Sequence, residues 1–201
     1  MTLFSKYNLN EVLNKSLKNI NFTTPTPIQA KSIPLILQGR DILGSAQTGT
    51  GKTAAFCIPI LELLMKSPRG SLLIMIPTRE LAKQVLDVIN SLLGFKSSIN
   101  TATLIGGESM SKQLSQLKKR PRIYVGTPGR INDHLQRGSL NLHDAKYLVL
   151  DETDRMLDMG FEVQINKIIK FLPVSKQVLM FSATIPNNIL KLSSKYLNDP
   201  V

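Results

Sequence analysis

Apolar residues in this chain fall into short continuous runs, separated by longer stretches in which they recur every three or four positions. The continuous runs read as strands buried on both faces of a sheet, at about 41–45, 71–76, 123–126, 146–150 and 177–181, with a weaker alternation at 99–105. The periodic stretches read as helices over about 10–17, 27–38, 54–66, 79–93, 111–119, 128–137, 153–158, 162–171 and 186–196. Punctuation agrees with these limits. Thr26 can cap a helix whose first turn holds Pro27, Gly39 and Gly94 stand where helices stop, and Pro77 ends the strand that precedes it. Such alternation predicts an α/β domain with a mostly parallel central sheet flanked by helices. No repeat or long linker interrupts it, so residues 1–201 are expected to form one domain, with Leu197–Val201 at its boundary.

Composition narrows the partners. Apolar residues make up 42% of the chain, enough for a substantial core. Net charge is +11, from 25 Lys and Arg against 14 Asp and Glu, which favours a polyanionic partner. The basic residues are scattered. The one dense run, Lys118-Lys119-Arg120 followed by Arg122, reads as a solvated face. A single cysteine, Cys57, excludes an intrachain disulfide and a multi-cysteine metal site, and it is expected to pack inside a helix. His134 and His143 are too few and too isolated for zinc. Lys6, Asn8 and Asn10 interrupt any signal-peptide core, and no apolar stretch reaches the ~20 residues of a membrane span. An intracellular, cytoplasmic, monomeric domain with no membrane partner is the expectation.

The chemistry centres on Ala46-Gln47-Thr48-Gly49-Thr50-Gly51-Lys52-Thr53, between an apolar strand and a helix. This spells a P-loop, with Ala46 where many have glycine. Gly49 and Gly51 keep the backbone open so that consecutive N–H groups can point at phosphate oxygens. The helix N-terminus adds its positive end, Lys52 can reach the β- and γ-phosphates, and Thr53 can hold Mg²⁺. Asp151 and Glu152 follow another strand. A carboxylate there can hold Mg²⁺ directly or through water, and its neighbour can orient or deprotonate an attacking water. Read alone, the Asp-Glu pair is equally a capped helix start.

In order along the chain stand Phe22, Pro25-Thr26-Pro27-Ile28-Gln29, the P-loop, Pro77-Thr78-Arg79-Glu80-Leu81-Ala82, Gly106-Gly107, Thr127-Pro128-Gly129-Arg130, Asp151-Glu152-Thr153-Asp154 and Ser182-Ala183-Thr184. With this set the chain resembles the DEAD-box RNA helicases, specifically their first RecA-like P-loop NTPase domain. The resemblance implies ATP and Mg²⁺ as ligands and RNA as partner. It makes residues 1–38 an adenine-recognition extension, in which Gln29 reads the base edge and Phe22 lies against it; an amide supplies both donor and acceptor. Phe4 stands where the family has an isolated upstream aromatic, and it is equally a terminal core anchor. Lys52, Asp151 and Glu152 take the catalytic roles, with Thr53 and Asp151 on the metal. Pro77, Thr78, Arg79, Gly106, Gly107, Thr127, Pro128, Gly129 and Arg130 become contacts to the RNA backbone, largely independent of base sequence. Asp154, Ser182 and Thr184 couple the two sites.

Two positions depart from the family. Thr153 stands where it has alanine, and Asn21 where it usually has glycine; asparagine tolerates the left-handed backbone that a glycine would supply. The family also carries a second RecA-like domain that completes the ATP site with arginines. None of it lies within these 201 residues, so a longer protein is expected. The resulting expectation is the ATP-binding half of an ATP-dependent RNA helicase, nearly inactive in isolation. The alternative is a non-hydrolysing, nucleotide-gated RNA-binding module, motivated by Thr153. An ATPase acting on DNA or protein fits the segments less well.

Overall fold

The computed structural model describes residues 3–47, 49–94 and 97–201. Among these described residues, six strands form one sheet: β1 (Ile42–Ser45), β2 (Ser71–Met75), β3 (Thr101–Leu104), β4 (Ile123–Gly126), β5 (Ala145–Leu150) and β6 (Gln177–Ser182). Their order is β1-β6-β5-β2-β4-β3, and every pairing among them is parallel. All six therefore end at the same edge of the sheet, where an open α/β fold binds ligands.

Among the described residues, nine α-helices cover the two faces: α1 (Glu11–Asn19), α2 (Pro27–Leu37), α3 (Lys52–Lys66), α4 (Arg79–Leu93), α5 (Met110–Lys118), α6 (Pro128–Gln136), α7 (Thr153–Asp158), α8 (Glu162–Ile169) and α9 (Asn187–Tyr196). The two-residue period of β2 divides the core. Leu72 and Ile74 pack with residues of α1 to α4, whereas Leu73 and Met75 pack with α6, α8 and α9. A strand buried on both faces has no polar alternation, which is why these strands read as continuous apolar runs. Helix α4 spans the predicted residues, because the Thr78 hydroxyl accepts from the Leu81 amide at its start and Gly94, at φ +69°, turns the chain away at its end.

The segment before the sheet is not a loose arm. Phe4, Leu13 and Leu17 are buried in the α1–α4 side of the core. The wholly buried Glu62 of α3 accepts from the Asn10 amide at 2.6 Å and faces Lys66 at 2.9 Å, fixing the start of α1. Asn21 has φ +58°, as its place in the turn demanded. Cys57 is fully buried, and burial followed by the charge of Asp151 raises its thiol well above the ordinary range.

Arg122 corrects the reading of the basic run as a solvated face. Its guanidinium donates to the carbonyls of Gly70 (2.9 Å), Leu64 (3.0 Å), Ser67 (2.8 Å) and Arg69 (3.2 Å). It closes the C-terminal end of α3 and the turn into β2, where helix-end carbonyls need donors from outside the helix. Lys118, Lys119 and Arg120 are exposed as expected.

Candidate active site

Helix α3 begins directly after Gly51, whose φ of +88° places it in the left-handed region. A Cβ there would lie 2.5 Å from the Gln29 amide nitrogen, so both the backbone and the space demand glycine. Gln29 is buried and already engaged. Its Oε1 accepts from the Thr26 amide at 2.9 Å, and its Nε2 donates to the Gly51 carbonyl at 3.1 Å. A primary amide has two donors and two lone pairs, so one of each remains for a base edge. The same side chain thus ties the start of α2 to the end of the P-loop. Phe22 is 37% exposed and stacks on Phe4, with ring centroids 6.3 Å apart. Phe4 is therefore a core anchor that also backs Phe22.

Lys52 is 6% exposed, and its ammonium has no hydrogen-bond partner among the described residues. A buried cation without a partner is costly, and an anionic ligand over α3 would satisfy it. Thr50 bonds back to the Gln47 carbonyl through its hydroxyl at 2.7 Å, shaping the loop. Thr48 lies outside the described residues. The Ala46 amide donates to the Ser182 carbonyl at 3.1 Å, so the loop is joined to the end of β6 from its first residue.

Asp151 ends β5 and is 6% exposed. Burial raises its carboxyl to about 6, against the opposing pull of Lys52 and of the Glu152 amide, which donates to it at 2.9 Å. A divalent cation would reverse that burial effect, so the donor set of Asp151 and Thr53 beside a phosphate fits Mg²⁺. Glu152 has φ +49° and ψ +50°, a left-handed conformation that a non-glycine residue rarely adopts. Its carboxylate meets Arg155 at 3.4 Å. Strain of this kind is retained where function requires the geometry.

Asp154 joins this loop to β6. Its carboxylate accepts from the Thr184 amide at 2.9 Å and the Thr184 hydroxyl at 3.0 Å, while its own amide donates to the Ser182 hydroxyl at 3.2 Å. Burial pushes its carboxyl up, but these donors and the Arg155 amide outweigh it and hold it below the usual range. Thr153, wholly buried, points its hydroxyl at the carbonyls of Leu150 and Phe181, each at 3.1 Å. The departure from alanine is thus a second tie between the same two strand ends.

A groove of about 540 Å³ opens beyond β2, β3 and β4, lined by Pro77, Thr78, Arg79, Gly106, Thr127, Gly129 and Arg130 among others. Gly107 sits at φ +73° under the Arg79 guanidinium; a Cβ there would lie 1.8 Å from Arg79 Nη1. Arg130 donates to the Glu108 carbonyl at 3.2 Å and faces Asp133 at 3.9 Å, so much of its reach is spent within the protein. Arg79 is exposed and free to meet an anion. A larger cavity of about 750 Å³, lined by Lys15, Ser67, Ile99 and Arg122, lies by the opposite strand ends and touches none of these segments.

A model of the DEAD/DEAH box helicases matches residues 26–192. The chain belongs to this family. It is 44% identical over its full length to the DEAD-box ATP-dependent RNA helicase CshA of Geobacillus kaustophilus, of which it covers 43%. It is 45% identical to RhpA, a DEAD-box ATP-dependent RNA helicase of Helicobacter pylori, with 98% of this chain and 40% of that protein aligned. Among solved structures, a DEAD box protein from the hyperthermophile Methanococcus jannaschii superposes with a TM-score of 0.94 at 44% identity, covering 100% of this chain and 55% of that one. The chain therefore spans about two fifths of the length of these curated helicases. No helix among the described residues is long and apolar enough to cross a membrane.

Measured against that family, the fold expected from the sequence is the fold found. Every described member of the predicted site lies at or next to the C-terminal ends of the strands, or, for Phe22 and Gln29, on the extension beside the P-loop. The DEAD-box motifs did not announce Met159 and Phe161, which also line the groove. An exposed methionine beside Gly160, just after α7, was the available signal. Nor did they announce the left-handed backbone of Glu152, for which the local sequence carries no sign.

Proposed function

We propose that this domain is the ATP-binding half of an ATP-dependent RNA helicase, which hydrolyses ATP to unwind or remodel RNA together with a second RecA-like domain. One observation carries the reading: a P-loop whose buried Lys52 ammonium has no hydrogen-bond partner among the described residues shares a sheet edge with a groove built from three glycine- or arginine-bearing segments. Gln29 and Phe22 receive adenine, residues 46–53 cradle the phosphates, and Lys52 faces the β- and γ-phosphates. Thr53 and Asp151 hold Mg²⁺, whose charge offsets that developing on the phosphates. Glu152 positions the attacking water and takes its proton. Pro77 to Arg79, Gly106, Gly107 and Thr127 to Arg130 hold the RNA backbone, and Asp154 with Ser182 and Thr184 links the two ends.

The named helicases support this by kinship. Thr153 motivated a non-hydrolysing clamp, but its hydroxyl is spent on strand carbonyls and both carboxylates remain, which favours hydrolysis. An intracellular, cytoplasmic setting goes with this function.

Phosphate release tests the proposal on three proteins: this domain, the two-domain protein, and the two-domain protein carrying Glu152→Gln. Arginines contributed across the cleft are worth roughly 10³-fold or more in such reactions, so the domain alone should turn over very slowly. The two-domain protein should be stimulated by RNA, and the substituted one should bind ATP while losing most turnover. Fast RNA-stimulated hydrolysis by this domain alone would refute the two-domain account. Full turnover by the substituted protein would remove Glu152 from the mechanism.

A further inference from the structure

Two polar side chains outside every motif are completely buried behind the groove. Gln113 of α5 and His134 of α6 both have 0% exposure, and the motifs described above account for neither. Gln113 Nε2 donates to the Ile105 carbonyl at 2.8 Å and reaches the Glu108 carbonyl at 3.5 Å. These carbonyls bracket the Gly106-Gly107 turn. Because both are acceptors, the amide orientation follows: Gln113 Oε1 must face His134 Nε2, 3.0 Å away. His134 Nε2 then carries the proton, and Nδ1 is the acceptor facing the Ser139 hydroxyl at 2.8 Å, whose one proton also lies within reach of the His134 carbonyl at 3.1 Å. The donors run in one direction, from the end of α6 through His134 and Gln113 into the glycine turn. Arg130 adds a parallel tie from α6 to the Glu108 carbonyl at 3.2 Å.

We infer that Gln113 and His134 are positioning residues for RNA, which lock the Gly106-Gly107 turn to the helix that begins at Thr127-Pro128-Gly129-Arg130. The inference rests on the proposed RNA role of that groove. Two consecutive glycines have more backbone freedom to lose than any other pair. Gly107 must also hold φ +73° beneath Arg79 for the guanidinium to lie where it does. Left unbraced, the turn would be ordered only when the backbone of RNA arrived, at the expense of affinity. Braced from inside the core, it presents its amides and Arg79 already arranged. A buried polar network is costly unless every member is paired, and this one directs its donors toward a single turn.

The test uses anisotropy of a labelled ten-nucleotide oligouridylate at low salt, with ADP affinity of the same proteins as the control. Gln113→Leu and His134→Leu should each weaken RNA binding about tenfold, as for loss of one hydrogen bond, and leave ADP affinity within roughly twofold. His134→Gln retains a donor toward Gln113 and should restore most of the RNA affinity. Amide exchange at residues 106–108 should quicken in the leucine variants and not in His134→Gln. RNA affinity unchanged in His134→Leu, or RNA and ADP affinities falling in parallel, would overturn the positioning role. If Gln113→Leu fails to fold, the two His134 variants decide the matter alone. Absence of RNA binding by the unsubstituted chain would instead overturn the reading of the groove, and this inference with it.

Discussion

Replacing Thr153 by valine isolates one hydroxyl at the junction of the acidic loop and β6. The side chain is fully buried, and the isosteric valine leaves packing nearly unchanged. The hydroxyl has one proton and two acceptors, the carbonyls of Leu150 and Phe181 at 3.1 Å each, so at most one good hydrogen bond exists at a time. Losing it removes about 1 kcal/mol of net stabilisation, and leaving a buried carbonyl without a donor raises the total to roughly 1–3 kcal/mol. For a domain of this size each kcal/mol moves Tm by about 2–4 °C, so Thr153→Val should melt about 2–12 °C lower. Thr153→Ala loses the burial of the one threonine methyl too and should fall by about 1 kcal/mol more. Thr153→Ser keeps the hydroxyl and loses one methyl, so it should be more stable than Thr153→Ala by about the worth of the hydrogen bond. Urea denaturation followed by far-UV circular dichroism, with m-values compared, measures all four. A valine variant as stable as the unsubstituted chain would refute the account of Thr153 as a tie between β5 and β6. Because alanine is the residue expected of the family here, Thr153→Ala should keep ATP turnover in the two-domain protein even while it loses stability.

Three further outcomes are expected. Titration calorimetry should show ADP binding more tightly than GDP, and Gln29→Ala should both weaken ADP and abolish the preference; equal affinities in the unsubstituted chain would remove Gln29 from base recognition. RNA binding should weaken as salt rises, because the groove offers amides and Arg79 to phosphates, and a salt-independent affinity would rule out backbone contact as its main source. Burial, then the charge of Arg130, lowers the pKa of His134 below 6.5, with Asp133 opposing and Arg137 reinforcing. The unfolded chain therefore binds the extra proton first: His134 contributes its full share of stability above about pH 6.5 and loses it as the pH falls from there through its folded value. Urea midpoints from pH 7.5 down to 5 should decline, and His134→Gln should flatten that part of the slope.

Much of this protein was legible from local physical chemistry. Strands buried on both faces leave unbroken apolar runs, and capping and glycine chemistry mark helix limits. Thr78 and Gly94 bound α4 at the residues expected, and Asn21 took the left-handed backbone expected of its turn. The P-loop and the acidic loop could be recognised because a phosphate site needs glycines, a lysine and carboxylates at fixed spacing along the chain. What the sequence left open concerns pairs of groups distant in the chain. Periodicity states which face of an element is buried but not which element lies against it, so the order β1-β6-β5-β2-β4-β3 belongs to the tertiary structure. So does the use made of particular side chains. Arg122 looked like one charge in an exposed basic run until the turn at residues 64–70 brought four carbonyls to its guanidinium. Thr153 suggested only a loss of hydrolysis until the adjacency of β5 and β6 placed the Phe181 carbonyl over its hydroxyl. Gln113 and His134 lie 21 residues apart on helices whose own patterns give no hint of a shared bond. Polar groups gain their meaning from the partners that burial denies or supplies, and only the packed chain decides which partners those are.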